Sequence, residues 1–221
     1  MKLLKDALIK LIAGAVLLGL FLFLPAWTLD YPNGWLFMGL LLVPVMIMGV
    51  VLYIKAPDLL AKRLSNKEKE STQKGVIALS GLMFPACFIV SALDFRFGWS
   101  HVPTWCVVLA SVLFLCGYAL FAEVMRENAY LSRTVEVQEG QKVVSTGLYG
   151  LVRHPMYFAT LLMFLPMPLI LGSFRGLIPL ALYPVIIVIR IRNEEQVLCE
   201  GLEGYAEYQR KVKYRLLPLI W

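Results

Sequence analysis

The sequence predicts an all-α, polytopic transmembrane protein with four full spans, a C-terminal helical hairpin and a cytoplasmic amphipathic helix. Three observations predict this. The chain is 59% hydrophobic and 16% charged over 221 residues, whereas soluble domains are about 45–50% apolar. Its mean hydropathy is +0.72, more apolar surface than a soluble core of this size can hide. Its apolar residues fall into runs long enough to cross a bilayer, for which about 20 residues are needed.

The first run covers residues 7–29, flanked by Lys2, Lys5 and Lys10. It is too long for a signal peptide, and no small-residue cleavage site follows it. A second run, 33–54, follows a turn containing Pro32, Asn33 and Gly34; a polar loop with six basic residues then occupies 55–74. Runs at 76–95 and 103–122 give the third and fourth spans, joined by a short, nearly uncharged connection around Arg96 to His101. Residues 1–122 therefore form a transmembrane region that carries no further signal. From 123 to 153 the chain is polar, β-branched and punctuated by glycine. It turns apolar again over 156–191, broken by Pro166, Pro168, Gly172, Arg175 and Pro179. One helix of that length would measure about 54 Å, against a hydrocarbon layer of about 30 Å. A hairpin turning at 172–176 fits instead. Residues 193–214 read as an amphipathic helix. The region 123–221 is the expected catalytic part.

The basic residues give the topology. If the N-terminus is cytoplasmic, 19 of the 21 lysines and arginines fall on the inside, leaving Arg96 and Arg175 outside; membrane proteins show this bias. The same distribution accounts for the net charge of +6 without nucleic acid. The four cysteines and two histidines follow no metal or disulfide spacing, so no metal is expected.

Two segments on the expected cytoplasmic side carry chemistry. In the first, Arg153, His154 and Pro155 stand where the polar loop enters the fifth helix. Proline suits a first helical turn, and the free amides there favour an anion. An arginine snorkelling to the interface and a tyrosine in an aromatic belt would leave the same signature. In the second, Arg190 and Glu194 lie four residues apart on one helical face at the end of an apolar run, followed by Glu195. Charges so placed tend to be functional, although a helix-end salt bridge and a solvated Glu195 are the plain alternatives. Gly140, Gly147 and Gly150 in the polar loop could shape a backbone cradle or serve as turn glycines. Tyr205, Tyr208 and Tyr214 could close over a site or anchor a helix at the interface.

Together, Arg153-His-Pro-x-Tyr157, Arg190-x-x-x-Glu194-Glu195, Gly204-Tyr205-x-x-Tyr208 and Arg215-x-x-Pro218 resemble the isoprenylcysteine carboxyl methyltransferase family and related phospholipid-methyltransferase-like membrane proteins. Val137-Gln138 and Lys142-Val-Val-Ser-Thr-Gly-x-Tyr149 agree, and the resemblance spans roughly 123–218. One departure is Ala159, where the family often has glycine. The resemblance implies S-adenosyl-L-methionine as cofactor, enclosed by Gln138, Gln141, Lys142, Val143, Val144, Tyr149, Arg153, His154, Pro155, Met156 and Glu194, with Tyr157 a weaker member of the set. It implies Arg190 as the catalytic residue, meeting the carboxylate of a lipophilic, prenylcysteine-like acceptor lying among membrane lipids.

The residue chemistry agrees with an acid acceptor. A carboxylate is ionised at neutral pH and needs no general base, and an arginine fork can aim one of its oxygens. No Gly-x-Gly-x-x-Gly stands at a strand-to-helix turn, which excludes a soluble Rossmann-type methyltransferase. The rival readings are a phospholipid amine methyltransferase, an NADPH-dependent sterol-type reductase sharing the Arg-His-Pro pattern, and a non-enzymatic membrane scaffold.

Overall fold

The computed structural model describes residues 2–64, 71–131 and 137–221. Among them the protein is helical and contains no strand. Four helices are long and apolar enough to span a membrane: α1 (Lys2–Ala26), α2 (Pro32–Lys55), α4 (Ser71–Phe97) and α5 (Thr104–Glu127). α4 and α5 run a few residues past the expected apolar runs and α2 by one at each end, whereas α1 begins five residues early and stops at Ala26, three short of the expected end. Their outward faces carry exposed large apolar side chains, among them Ile12, Leu24, Ile54, Leu82 and Val108. Such faces are stable only against lipid.

Between α2 and α4 the expected polar loop contains a short helix, α3 (Pro57–Leu64). Pro57 opens it, Asp58 stands in its first turn and Lys62 and Arg63 in its last, the arrangement the helix dipole favours. It buries Leu59 and Leu60 against Leu52, Val124, Met125 and Tyr149. The remainder of that loop, 65–70, lies outside the described residues, as do 132–136 of the later polar segment.

The hairpin is present, but each arm is broken. The descending arm is α6 (Pro155–Phe164) and α7 (Met167–Ile170); the returning arm is α8 (Leu177–Leu180) and α9 (Tyr183–Gly201). Prolines sit in the first turns of α6, α7 and α9, where a missing N–H costs nothing. The turn between the arms, 171–176, falls where the glycine and polar residues placed it.

The amphipathic helix expected over 193–214 is not one element. α9 continues through Arg192, Glu194 and Glu195 to Gly201, then breaks, and α10 (Tyr205–Lys211) follows. The change from apolar to charged residues moves α9 out of lipid without ending it. Gly204 ends the connection in the left-handed conformation, φ +81°, which any residue with a Cβ adopts at a cost. The break folds α10 back, so that Tyr205 and Tyr208 are buried instead of serving as interface anchors.

The helices pack in a single bundle, with α5 against α6 its most extensive contact. Gly117 permits that contact. A Cβ there would lie 2.9 Å from both the carbonyl oxygen of Ala159 and the amide nitrogen of Met163. Close backbone approach through small residues is how helices associate in lipid.

The bundle has two distinct ends. At one, Leu3, Leu52, the α3 leucines, Val124 and Tyr149 share a cluster, and the C-terminal residues gather beside it. At the other, the Tyr31 hydroxyl donates to the Leu171 carbonyl at 2.6 Å and Asn33 donates to that of Ile170 at 2.7 Å. Asp94, buried there, accepts hydrogen bonds from the Ser100 amide at 2.7 Å and from the hydroxyls of Ser100 and Ser173. Arg96 stacks on Trp27 and Arg175 on Trp99 at this second end, as cations and indoles do at a membrane interface.

Candidate functional site

The first end of the bundle holds a cleft between the end of α5, the 141–149 segment, the mouth of α6, the second half of α9 and α10. How the chain builds it begins with Glu195. Its side chain is 6% exposed, forms ion pairs with Arg153 and Arg215, each at 2.7 Å, and shares a hydrogen bond with His154 at 3.2 Å. Burial by itself pushes this carboxyl up, but hydrogen bonds from His154, Arg153 and Arg215 outweigh that and hold it at about 2. Glu195 is therefore a buried anion, not the solvated carboxylate that its position in a charged run suggested.

Arg153 is consumed by the same knot. Its remaining donors meet the carbonyls of Val212 at 2.7 Å and Lys213 at 3.0 Å, and its own amide donates to the Tyr214 carbonyl. The His154 amide donates to the Arg215 carbonyl at 2.8 Å. Free amides at the mouth of α6 could have received a ligand anion; two of them instead hold the C-terminal strip of chain, residues 212–215. Arg153 and His154 still border the cleft through their side chains, and Pro155, buried behind them, starts α6 without reaching it.

A second cluster lies deeper, toward the membrane. The Tyr157 hydroxyl donates to Glu194 and accepts a hydrogen bond from Arg190 Nε at 3.2 Å, and the Arg190 guanidinium lies 5.8 Å from the Tyr157 ring centre. Arg190 and Glu194 share a face of α9, as their spacing required, and Tyr157 from α6 joins them. Tyr157 thereby ties the hairpin's two arms together at the floor of the cleft.

The 137–149 segment forms the other wall. Gln141, Lys142, Val143, Val144 and Tyr149 line it as expected. Gln138 does not. Its amide group donates to the Tyr130 carbonyl at 2.6 Å and accepts from Lys62 at 2.6 Å, binding the loop to α3. Gly147 belongs to a single 3-10 turn, Gly147–Gly150, and a Cβ there would overlap the Glu127 carboxylate, which accepts the Leu148 amide at 3.0 Å. Gly147 is a turn residue seated on Glu127 and lies outside the cleft lining, as does Gly150.

Several lining residues carried no signal in the sequence. Asn128, Tyr130 and Leu131 come from the turn that follows α5, Leu198 from the last turn of α9 and Leu202 from the residue that caps it. Asn128 donates to the Tyr149 hydroxyl at 2.9 Å. Tyr205 and Tyr208 complete the cover; Tyr208 donates to the Tyr149 carbonyl at 2.7 Å, closing α10 onto the loop. Their position in the Tyr-x-x-Tyr pattern was visible, but which way they faced depended on the break after α9. Among the described residues no group of three metal-binding side chains occurs.

Two curated relatives are similar to part of this chain. A Delta(14)-sterol reductase of Methylotuvimicrobium alcaliphilum is 22% identical over 135 residues, 54% of this chain and 32% of that protein. A Delta(14)-sterol reductase of Mus musculus is 30% identical over 92 residues, 40% of this chain and 22% of that protein. The chain thus spans a third or less of the lengths of these relatives. The resemblance to membrane methyltransferases is borne out by the family comparison: residues 105–203, from the start of α5 to just past the end of α9, match the phospholipid methyltransferase family.

Proposed function

We propose that this protein is an integral membrane S-adenosylmethionine-dependent methyltransferase acting on a lipophilic acceptor, with carboxyl O-methylation of an isoprenylcysteine-like acid the reading its residues support best. The observation that carries it is the Arg190–Tyr157–Glu194 cluster at the membrane side of a cleft that lies within the matched family region.

The lining fits an adenosyl cofactor by its chemistry. Glu194 offers a carboxylate to amino or hydroxyl groups, Tyr149 and Tyr205 offer aromatic faces, and Val143, Val144, Leu198 and Leu202 offer apolar cover. When bound, S-adenosylmethionine supplies an electrophilic methyl group on a sulfonium. The chain's own task is to place an acceptor. Arg190 presents a planar fork suited to a carboxylate, and its Nε contact with Tyr157 orients the guanidinium. His154 is engaged by the Glu195 carboxylate and Glu194 by the Tyr157 hydroxyl, so neither is placed to act on the acceptor as a general base. An ionised acid acceptor needs none, and the acceleration then comes from proximity and alignment. The acceptor would enter sideways from lipid, the cofactor from the water side. The bias of basic residues supports a cytoplasmic assignment of that side, with the N-terminus, the catalytic loop and the C-terminus all facing it.

Two other readings have their own support. The family's description favours a phospholipid as acceptor, and the names of the two curated relatives favour the sterol-type reductase reading. Calorimetric titration of detergent-purified protein with S-adenosylhomocysteine and, separately, NADPH decides the cofactor. Micromolar binding of the first, lost in Glu194→Ala, is the expected result. Binding of NADPH alone would move the protein to the reductases, and methyl transfer to a phospholipid amine instead of a prenylcysteine acid would move the acceptor.

A further inference from the structure

Two tyrosines on α10 lie three residues apart, and their hydroxyls have opposite fates. Tyr208 Oη donates to the Tyr149 carbonyl at 2.7 Å. Tyr205 is 4% exposed, lines the cleft, and its Oη is buried with no hydrogen-bond partner among the described residues. A buried hydroxyl without a partner is destabilising, and native structures leave few such groups without a reason. Phenylalanine would fill the same space in the Leu202–Tyr208–Val212 cluster at no such cost.

The surroundings say what the hydroxyl can do. Burial, and then the carboxylates of Glu195 and Glu194, push its ionisation far up, with Arg153 acting weakly the other way and Tyr208 adding slightly to the rise. The phenol is therefore protonated at every working pH and is a ready donor. Glu195 is already satisfied by two arginines and a hydrogen bond with His154, and Glu194 accepts from Tyr157. What is missing is an acceptor within the cleft.

We propose that Tyr205 is a ligand-contacting residue whose hydroxyl donates a hydrogen bond to an acceptor atom of the adenosyl cofactor. This rests on the reading that the cleft takes a ligand of the S-adenosylmethionine class. The partner is a carbonyl, carboxylate, hydroxyl or ring-nitrogen lone pair, never a cation. Without ligand, the hydroxyl is an unpaired group that weakens the cover formed by α10; with ligand, it adds affinity and holds the cover down.

The test compares Tyr205→Phe with Tyr208→Phe in two measurements, the thermal unfolding midpoint of ligand-free protein and the Kd for S-adenosylhomocysteine. For Tyr205→Phe the ligand-free midpoint should stay or rise while Kd weakens roughly 3- to 10-fold, the worth of one neutral hydrogen bond. Tyr208→Phe should lower the ligand-free midpoint, because it breaks a bond the protein makes with itself. A lowered midpoint in Tyr205→Phe, a failure of that variant to fold, or an unchanged Kd would each overturn the proposal. Wild-type protein that binds no S-adenosylhomocysteine would instead overturn the functional reading, and the assignment of Tyr205 to this cofactor with it.

Discussion

Each end of the bundle buries a carboxylate, and the two are stabilised by different means. Asp94 is held by neutral donors, the Ser100 amide and the hydroxyls of Ser100 and Ser173, which tie the α4–α5 connection to the tip of the hairpin. Glu195 is held by Arg153, His154 and Arg215, drawn from three separate parts of the chain. Neutral donors suffice to lock loops together. Charged donors do that and also set up an electrostatic environment, in which the neighbouring Glu194 and Arg190 face an open cleft. The second end is a latch; the first is a latch with a site built against it.

Removing the charge at Glu195 should break this comparison most severely. Glu195→Gln strands the buried Arg153, and loss of one partner from a buried ionic cluster costs about 3–5 kcal/mol; the drop is read as the unfolding midpoint in detergent. The sign of its pH dependence follows from the lowered ionisation. Its contribution is fully present above the ordinary carboxyl value of 4.5 and fades as pH falls toward about 2. The wild type should therefore lose stability in that window, and Glu195→Gln should lose less. Arg190→Ala comes next. It should lower methyl transfer about 100-fold, as misplacement of a reacting group does, while the Kd for S-adenosylhomocysteine changes little. Retained activity would remove Arg190 from the acceptor site. The smallest effect is expected from Asp94→Asn, about 1–3 kcal/mol of stability for mismatched buried hydrogen bonds, with ligand affinity unchanged. If it weakened ligand binding, the two ends would be coupled through the helices.

The spans, the hairpin and its turn were legible because membrane burial writes itself into the sequence as length and hydropathy. α3 was not, since eight residues give too few turns for a period to emerge from a basic segment. The end of α9 was misplaced because hydropathy reports where lipid stops, whereas the helix stops where Gly204 can reverse the chain. In the site, Arg190 and Glu194 were found by spacing, and Tyr157 by motif. The fates of Arg153 and Glu195 could not be read, because their partners lie 42 and 20 residues away in the chain. Gln138 matched the motif yet turns toward α3, a direction that a pattern of residue types does not encode.

The strip 212–215 has a consequence for biosynthesis. It supplies the carbonyls of Val212, Lys213, Tyr214 and Arg215 to Arg153 and His154, and the Arg215 side chain to Glu195. The four long apolar helices precede it, and chains emerge from the ribosome N-terminus first. The helices can thus be threaded into the bilayer, and the hairpin formed, while the ionic knot still lacks a member. Only when the last of these residues is released from the ribosome can the knot be tied and the cleft take its shape, so a nascent chain arrested before Arg215 would be inserted but unfinished.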